Sequence, residues 1–130
     1  MIKAIIFDFD GTLFDTERKK FKDIQKILLK HKLIVPKNDF INFIGRKRSD
    51  YIKMRFPLIN EENLKNMTNE IRLEDLKNLE EIKLITGLKE LLSYLKNENV
   101  TMGIVTGSSE KFVNGLLKIN NLYNYFKFRI

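Results

Sequence analysis

Apolar residues follow two different spacings along the chain, and together these spacings predict an α/β protein. The run KAIIFDF, residues 3–9, is short, continuous and rich in isoleucine, which is typical of a parallel strand covered on both faces. The segment VTMGIVTG, residues 100–107, has the same character and predicts a second strand. The tail YFKFRI, residues 125–130, alternates aromatic, basic and apolar residues and predicts the start of a third strand.

Helical spacing dominates the rest of the chain. From Glu17 to about Lys32, the apolar residues Phe21, Ile24 and Ile27 recur every three or four positions, with charged residues between them. The same criterion predicts helical turns in 38–45 capped by Asn38 or Asp39, a short helix over 49–55, a long or bent helix within 60–82, and helices over 86–99 and 109–119.

A strand, a series of helices, a second strand and a further helix predict a parallel sheet with right-handed connections. Such sheets bind ligands at the carboxyl ends of their strands. The helices between the first two strands are then an insertion, which we expect to form a lid.

Composition narrows the classes of function. The net charge of +7 and pI near 9.6 are compatible with nucleic acid or with an anionic substrate. Because the lysines are spread along the helices rather than gathered in a stripe, we expect no nucleic-acid partner. The chain has no cysteine, which excludes disulfides, thiolate zinc sites and cysteine nucleophiles. No apolar run is long enough for a membrane span, so we expect no membrane partner and a cytoplasmic location.

Two carboxylates stand at the end of the first predicted strand. Asp8 closes it and Asp10 follows two residues later, so both side chains could face one crevice. Two close acids repel each other unless a cation joins them, and Mg²⁺ prefers hard oxygen ligands of this kind. An aspartate after a strand is also a common turn former or helix cap. Gly11 and Thr12 come next and favour a tight polar loop. With this loop, a Mg²⁺ site becomes the favoured interpretation of the two aspartates over a turn former or a helix cap.

The second predicted strand also ends in a polar loop. The residues VTGSS, 105–109, lead into a helix whose first amide groups carry positive partial charge. Thr106, Gly107 and Ser108 are therefore candidate phosphate-binding residues. Taken alone, the loop is also explained by Ser108 or Ser109 capping the helix. Since the carboxyl ends of parallel strands meet at one edge, a single site could hold both loops.

These two loops carry a resemblance to a known family. FDFDGTLFDTE, residues 7–17, closely resembles the first motif of the haloacid dehalogenase superfamily of phosphatases and phosphomutases, and IVTGSS, residues 104–109, is similar to its second motif. The segment from Thr86 to this second motif also resembles the family, with Thr86 at a position where the family usually has a proline. The resemblance implies a Rossmann-like core of residues 1–14 and 83–130, with an inserted helical cap of residues 15–82.

The family resemblance also implies roles for the loop residues. The residue matching Asp8 is the nucleophile that forms an aspartyl phosphate, and the one matching Asp10 is the general acid and base. The family's Mg²⁺ is held by the side chain matching Asp8 and the backbone carbonyl matching Asp10. Thr106 and the Gly107 amide would hold phosphoryl oxygens. The family's dehalogenases lack the acid matching Asp10, so phosphoryl transfer is favoured over dehalogenation.

The expected substrate is a small phosphorylated metabolite, and a sugar-phosphate mutase is the alternative reaction. In IGRKRSD, residues 44–50, Arg46 and Arg48 lie where similar sugar-phosphate mutases carry an arginine that contacts the substrate, and Arg48 fits best. A bidentate grip on phosphate would suit an arginine at that place. A solvated basic loop is the other interpretation.

The family also has a lysine after its third strand and an acidic pair on a later strand, and neither motif is present in this sequence. Lys111, Lys118 and Lys127 all come before the place of the family's lysine, so none is assigned its role. We therefore expect the chain to be the amino-terminal part of a longer enzyme, with little or no activity of its own. The alternatives are a non-catalytic module that binds phosphate ligands or a partner through an open sheet edge, and a basic nucleic-acid binder.

Overall fold

Three short parallel strands form the sheet of this protein, and the structure, a computed structural model, describes every residue from 1 to 130. Strand β1 (Ala4–Phe7) pairs with β2 (Thr101–Ile104), which pairs with β3 (Phe128–Arg129), so the strand order is β1-β2-β3. Both pairings are parallel, and Phe7 lies opposite Ile104. The predicted α/β class, the parallel sheet and the strand in the tail are confirmed.

The chain divides into two compact units. Met1–Thr16 and Asn78–Ile130 form the first, called here the sheet unit, and Glu17–Lys77 forms the second, called here the helical unit. None of the helices in either unit combines the length and the apolar character that crossing a membrane requires.

Two amphipathic helices complete the sheet unit. Helix α5 (Leu88–Asn97) precedes β2, and helix α6 (Glu110–Ile119) follows it, both within the predicted ranges. A 3-10 turn (Leu79–Glu81) lies where the chain returns from the helical unit to the sheet unit, and another (Tyr123–Tyr125) precedes β3. The buried apolar side chains of this unit are those of Phe9, Leu13, Phe14, Ile82, Leu88, Leu92, Leu95, Met102, Ile104, Phe112, Val113, Leu116, Leu117, Leu122 and Phe126.

Strand β1 is less covered than its composition predicts. The strand order leaves β1 at an edge, and Ile6 is 61% exposed. The expectation of cover on both faces is therefore wrong for this chain, because Ala4 and Ile6 face solvent while Ile5 and Phe7 are partly covered. Phe7 meets the ring of Phe126 edge to face, with 6.1 Å between centroids.

Four helices make up the helical unit. They are α1 (Glu17–Lys30), α2 (Phe40–Phe43), α3 (Arg48–Arg55) and α4 (Glu61–Asp75), with a 3-10 turn (Lys37–Asp39) before α2. The predicted long helix ends at Asp75, and the chain then turns through Asn78, which has a positive φ of 56°. The core of this unit consists of Phe21, Ile24, Ile27, Leu28, Val35, Phe43, Tyr51, Ile52, Leu64, Met67 and Ile71.

Asp39 differs from its predicted role as a helix cap. Its side chain makes no capping hydrogen bond to α2. It accepts hydrogen bonds from the Tyr51 hydroxyl and, at 2.7 Å, from the Asn42 side chain. These donors hold the pKa of Asp39 below its ordinary value, while burial raises the pKa of Tyr51. Asp39 therefore provides the acceptor that the fully buried Tyr51 hydroxyl needs.

The close approach of β2 and β3 depends on a glycine. Gly103 lies opposite Phe128, and a Cβ at Gly103 would stand only 2.2 Å from the Phe128 ring. We expect Gly103→Ala to lower the free energy of unfolding by about 1–3 kcal/mol, because the ring must move from its place. Urea unfolding of both proteins measures the difference. Gly107→Ala is the control, since nothing lies within 4 Å of its Cβ position. Equal stability of wild type and Gly103→Ala would contradict this packing.

Candidate active site

The two polar loops begin side by side because β1 and β2 are neighbouring parallel strands in register. Phe7 and Ile104 are partners at the strand ends, and the Val105 amide donates to the Phe7 carbonyl at 3.0 Å. The first loop continues from there through Asp8 and Asp10, and the second through Thr106. The strand pairing alone therefore brings the two loops to one edge of the sheet.

Asp10 joins the two loops through its carboxylate. Its Oδ1 accepts a hydrogen bond of 2.6 Å from the Thr16 hydroxyl, and its Oδ2 accepts one of 2.6 Å from the Ser108 hydroxyl. The Thr106 hydroxyl also points at Oδ2, at 3.4 Å. Thr16 is fully buried, so this donor is held in place by the interior. The structure thus brings together Asp10, Thr106 and Ser108, three of the residues singled out in the sequence.

The backbone of the first loop is a tight turn. Gly11 has a positive φ of 77°, a conformation that side chains other than glycine adopt rarely, and its amide donates to the Phe14 carbonyl at 2.8 Å. The rings of Phe9 and Phe14 are both fully buried and lie 5.2 Å apart. These two aromatic anchors below the turn leave Asp8 and Asp10 on its polar side.

Asp8 is the more accessible of the two carboxylates. It is exposed, and its Oδ1 accepts a hydrogen bond of 2.8 Å from the Phe9 amide. Its other oxygen has no partner within the chain. An oriented carboxylate with one oxygen open to solvent is suited to act as a nucleophile or a metal ligand.

The second loop divides its polar groups between two tasks. The Ser109 hydroxyl accepts a hydrogen bond from the Phe112 amide at 3.3 Å and so caps α6, which confirms the capping interpretation for this serine. Ser108 instead reaches Asp10, and its amide donates to the Thr106 hydroxyl oxygen at 3.1 Å. Gly107 is exposed, and its amide has no acceptor within the chain. This amide, three residues before the start of the ten-residue helix α6, is available to an anion.

Arg46 and Arg48, the candidate substrate residues, both lie in the helical unit. The guanidinium of Arg48 forms a mostly buried ion pair with the carboxylate of Asp75. Asp75 is only 5% exposed. Arg46 is exposed, and its side chain contacts no acid of the chain. Arg48 is therefore engaged within the helical unit, while Arg46 and the neighbouring Lys47 are exposed and form no ion pair within the chain.

Sequence reasoning missed the group of charges around Arg48. Asp23, Glu74 and Asp75 are all buried, and the Lys19 ammonium donates to Asp23 at 2.7 Å and to the Asp75 carbonyl at 3.2 Å. Burial is the main cause that raises the pKa of Asp75 to about 7; Arg48 opposes this rise and the nearby Asp23 contributes to it. The spacing of Lys19 and Asp23 was the available signal, since residues four apart share a helix face.

The donors in the loops fit Mg²⁺ in type but not in number. Carboxylate and carbonyl oxygens at Asp8 and Asp10 are the hard ligands that Mg²⁺ prefers, and Mg²⁺ often takes only one or two protein carboxylates beside water and phosphate. The structure contains no group of three acidic or histidine side chains placed to hold a metal ion. These residues are therefore suited to hold one side of a Mg²⁺ ion.

The family model of haloacid dehalogenase-like hydrolases matches residues 5–130. YhcW of Bacillus subtilis (strain 168), named for an assumed phosphatase activity, is 30% identical over 98% of this chain and 59% of its own length. The chain thus spans about three fifths of the length of this relative.

Solved structures show the same fold over the whole chain. A protein of Clostridium acetobutylicum, assigned as a phosphatase by inference, superposes with a TM-score of 0.86 at 23% identity and covers 100% of this chain and 61% of its own. CbbY of Rhodobacter sphaeroides, solved in complex with phosphate, gives a TM-score of 0.84 at 17% identity over 99% of this chain and 63% of its own. At these identities the likeness concerns the fold.

The buried hydroxyl of Thr16 yields a test of the hydrogen bonds at Asp10. We expect Thr16→Val, which keeps the shape and removes the donor, to lower the free energy of unfolding by about 1–2 kcal/mol. Thr16→Ser keeps the hydroxyl and is the matched control for its loss. Thermal unfolding by circular dichroism measures both variants. A Thr16→Val protein as stable as wild type would show that this hydrogen bond contributes nothing.

Asp75 yields a test of pH dependence. Its pKa in the folded chain, about 7, lies above the ordinary 3.8, so the folded state binds this proton more tightly than the unfolded state. Asp75 therefore makes stability fall as the pH rises from about 4 to about 7, by at most about 1.4 kcal/mol per pH unit. We therefore expect the stability of Asp75→Asn, measured by urea unfolding relative to wild type, to increase as the pH rises across this range.

The control for the Asp75 variant is Asp50→Asn, which changes an exposed carboxylate of the same unit. The pKa values of Asp39 and Glu74 are lowered, so these two groups make the stability rise with pH at acid pH. Wild type and Asp75→Asn share this contribution, so it does not affect the difference between them. A difference between wild type and Asp75→Asn that stays constant with pH would contradict the raised pKa.

Proposed function

Because the chain belongs to the haloacid dehalogenase-like hydrolase family, we propose that it carries the nucleophile, the acid/base and the phosphate-binding loop of a phosphomonoester hydrolase. The proposed enzyme depends on Mg²⁺, works through an aspartyl phosphate and acts on a small phosphorylated metabolite. The observation that carries the proposal is the set of hydrogen bonds from Thr16 and Ser108 to Asp10, beside the accessible carboxylate of Asp8.

Asp8 is the proposed nucleophile. Its free oxygen attacks the phosphorus in line with the ester oxygen, a new P–O bond to Asp8 forms, and the bond to the leaving oxygen breaks. The hydrogen bond from the Phe9 amide holds the other carboxylate oxygen and so limits rotation of the side chain. This fixed orientation supports the role, since in-line attack demands a defined approach.

Asp10 is the proposed general acid and base. It gives a proton to the leaving alkoxide in the first step and takes one from the water that attacks the aspartyl phosphate in the second. Inorganic phosphate then leaves and the Asp8 carboxylate is restored. The hydroxyls of Thr16 and Ser108 suit this double role, because a hydroxyl can donate to a carboxylate or accept from a carboxylic acid.

The second loop is the proposed holder of the phosphoryl oxygens. The Gly107 amide is open to solvent at the amino end of α6, where the helix dipole favours negative charge. Thr106 adds a hydroxyl beside it, and Ser108 would add a second by turning its hydroxyl from Asp10 to the phosphoryl group. Such fixed donors stabilise the charge that develops on the phosphoryl group.

Bound Mg²⁺ would supply neutralisation of the negative charges on substrate and nucleophile. Asp8 would hold it with its carboxylate and Asp10 with its backbone carbonyl. The helical unit is the proposed cap, and of its two candidate arginines Arg46 is the one available to a substrate anion, since Arg48 pairs with Asp75.

A phosphate-binding module without turnover is the second candidate. It is favoured by the incomplete set of metal ligands among these residues. This candidate and the enzyme share the anion site at Gly107 and differ only in whether Asp8 reacts.

Hydrolysis of p-nitrophenyl phosphate separates the two candidates. We expect slow, Mg²⁺-dependent release of p-nitrophenol that Asp8→Asn abolishes. Asp10→Asn should slow it by about 10²–10⁴-fold, the usual contribution of general acid–base catalysis, through loss of the base in the second step, since p-nitrophenolate leaves without a proton. Asp15→Asn, an exposed carboxylate of the same loop, is the matched control and should leave the rate unchanged. Phosphate binding without turnover would support the module, and turnover that survives Asp8→Asn would exclude the proposed nucleophile.

A further inference from the structure

A solvent-open cavity of about 460 Å³ lies in the helical unit, and none of its lining residues is assigned to phosphoryl transfer. It opens where the chain leaves α1, where α3 ends and where α4 begins. Its size lies within the range of about 300–1,000 Å³ usual for small-molecule sites. Its lining includes Leu33, Arg55, Phe56, Ile59, Asn63 and Met67.

The inner wall of the cavity is apolar. Met67 belongs to the buried core of the helical unit, and Leu33, Phe56 and Ile59 are partly buried side chains packed against that core. A ligand with an apolar body would complete the burial of these three side chains.

The rim of the cavity supplies one cation with open hydrogen-bonding capacity. The Nε of Arg55 lies 3.7 Å from the Asp39 carboxylate, which is an ion-pair distance and too long for a hydrogen bond. The two terminal nitrogens of Arg55 have no partner within the chain, and the side chain is 40% exposed. The side-chain amide of Asn63 also has no partner.

The other titratable groups near the rim are already satisfied. The His31 imidazole, which also lines the cavity, pairs with Glu70 at 2.9 Å. Asp39 takes its hydrogen bonds from Tyr51 and Asn42, and these lower its pKa more than Arg55 does. Arg55 can therefore turn its planar fork to a ligand without depriving Asp39 of its donors.

We propose that this cavity binds a small carboxylate with an apolar chain. The carboxylate takes the terminal nitrogens of Arg55 in a bidentate pair, with the Asn63 amide beside it, and the chain lies on Leu33, Phe56 and Met67. The pairing follows from charge and shape, because a guanidinium fork matches a carboxylate and the wall offers only apolar contacts. This binding site is independent of the proposed phosphatase activity.

Decanoate is the probe for the test, used below its micellar concentration with the full chain. Decyltrimethylammonium, with the same chain and the opposite charge, and acetate, without the chain, are the matched ligands. We expect saturable one-to-one binding of decanoate in calorimetry, with shifts of the amide resonances of residues 33, 56, 59 and 67 in NMR spectra. Neither matched ligand should bind.

Substitutions at Arg55 test whether the carboxylate of decanoate binds to this side chain. Arg55→Gln should weaken decanoate binding by about tenfold or more, since a hydrogen bond to a charged group is lost. Arg55→Lys, which keeps the charge but lacks the planar guanidinium, should bind decanoate more weakly than wild type and more tightly than Arg55→Gln. Lys53→Gln, on the same helix and 50% exposed in its side chain, is the control and should bind as wild type does. Circular dichroism checks that each variant is folded.

Three results would overturn the proposal. They are the absence of saturable decanoate binding, equal binding of decyltrimethylammonium, and decanoate binding that Arg55→Gln leaves unchanged. The first would show that the cavity holds solvent only, and the other two would show apolar adsorption without an anion site.

Discussion

Hydrogen bonds to one carboxylate hold the candidate site together. Asp10 belongs to the loop after β1, yet its two oxygens are bound by Thr16, further along that loop, and by Ser108 in the loop after β2. The parallel pairing of β1 with β2 brings the loops to one edge, and Asp10 then fixes them to each other. Asp8 stands two residues before Asp10 in the first loop, and Gly107 lies beside Ser108 in the second, so both belong to the loops that this carboxylate connects.

The helical unit is held by a different balance of forces. Its apolar core is interrupted by two groups of buried polar side chains, one around Tyr51 and Asp39 and one around Arg48 and Asp75. Lys19 of the first turn of α1 reaches the last carbonyls of α4, so the beginning and the end of this unit are bonded to each other. A buried charge that loses its partner is costly, which makes such groups sensitive to substitution and to pH.

Local patterns in the sequence predicted most of the elements, and the misses have physical reasons. The helices followed from apolar spacing, and Ser109 behaves as the helix cap that its position before α6 predicts. Asp39 does not cap α2, because the buried Tyr51 hydroxyl twelve residues later competes for it. Ile6 is exposed because cover for a strand comes from segments distant in sequence, which an apolar run cannot report. For the same reason, the ion pair of Arg48 with Asp75 and the hydroxyl of Thr16 on Asp10 could not be inferred.

The central claim is that Asp8 is a carboxylate prepared to receive a phosphoryl group. Beryllium fluoride, which mimics a phosphoryl group on a carboxylate, tests it without requiring turnover, because fluorine NMR detects the bound anion directly. The account predicts bound fluorine signals with Mg²⁺ in the wild-type chain and their loss in Asp8→Asn. Identical spectra for the two proteins, or no bound signal in the wild type, would contradict it.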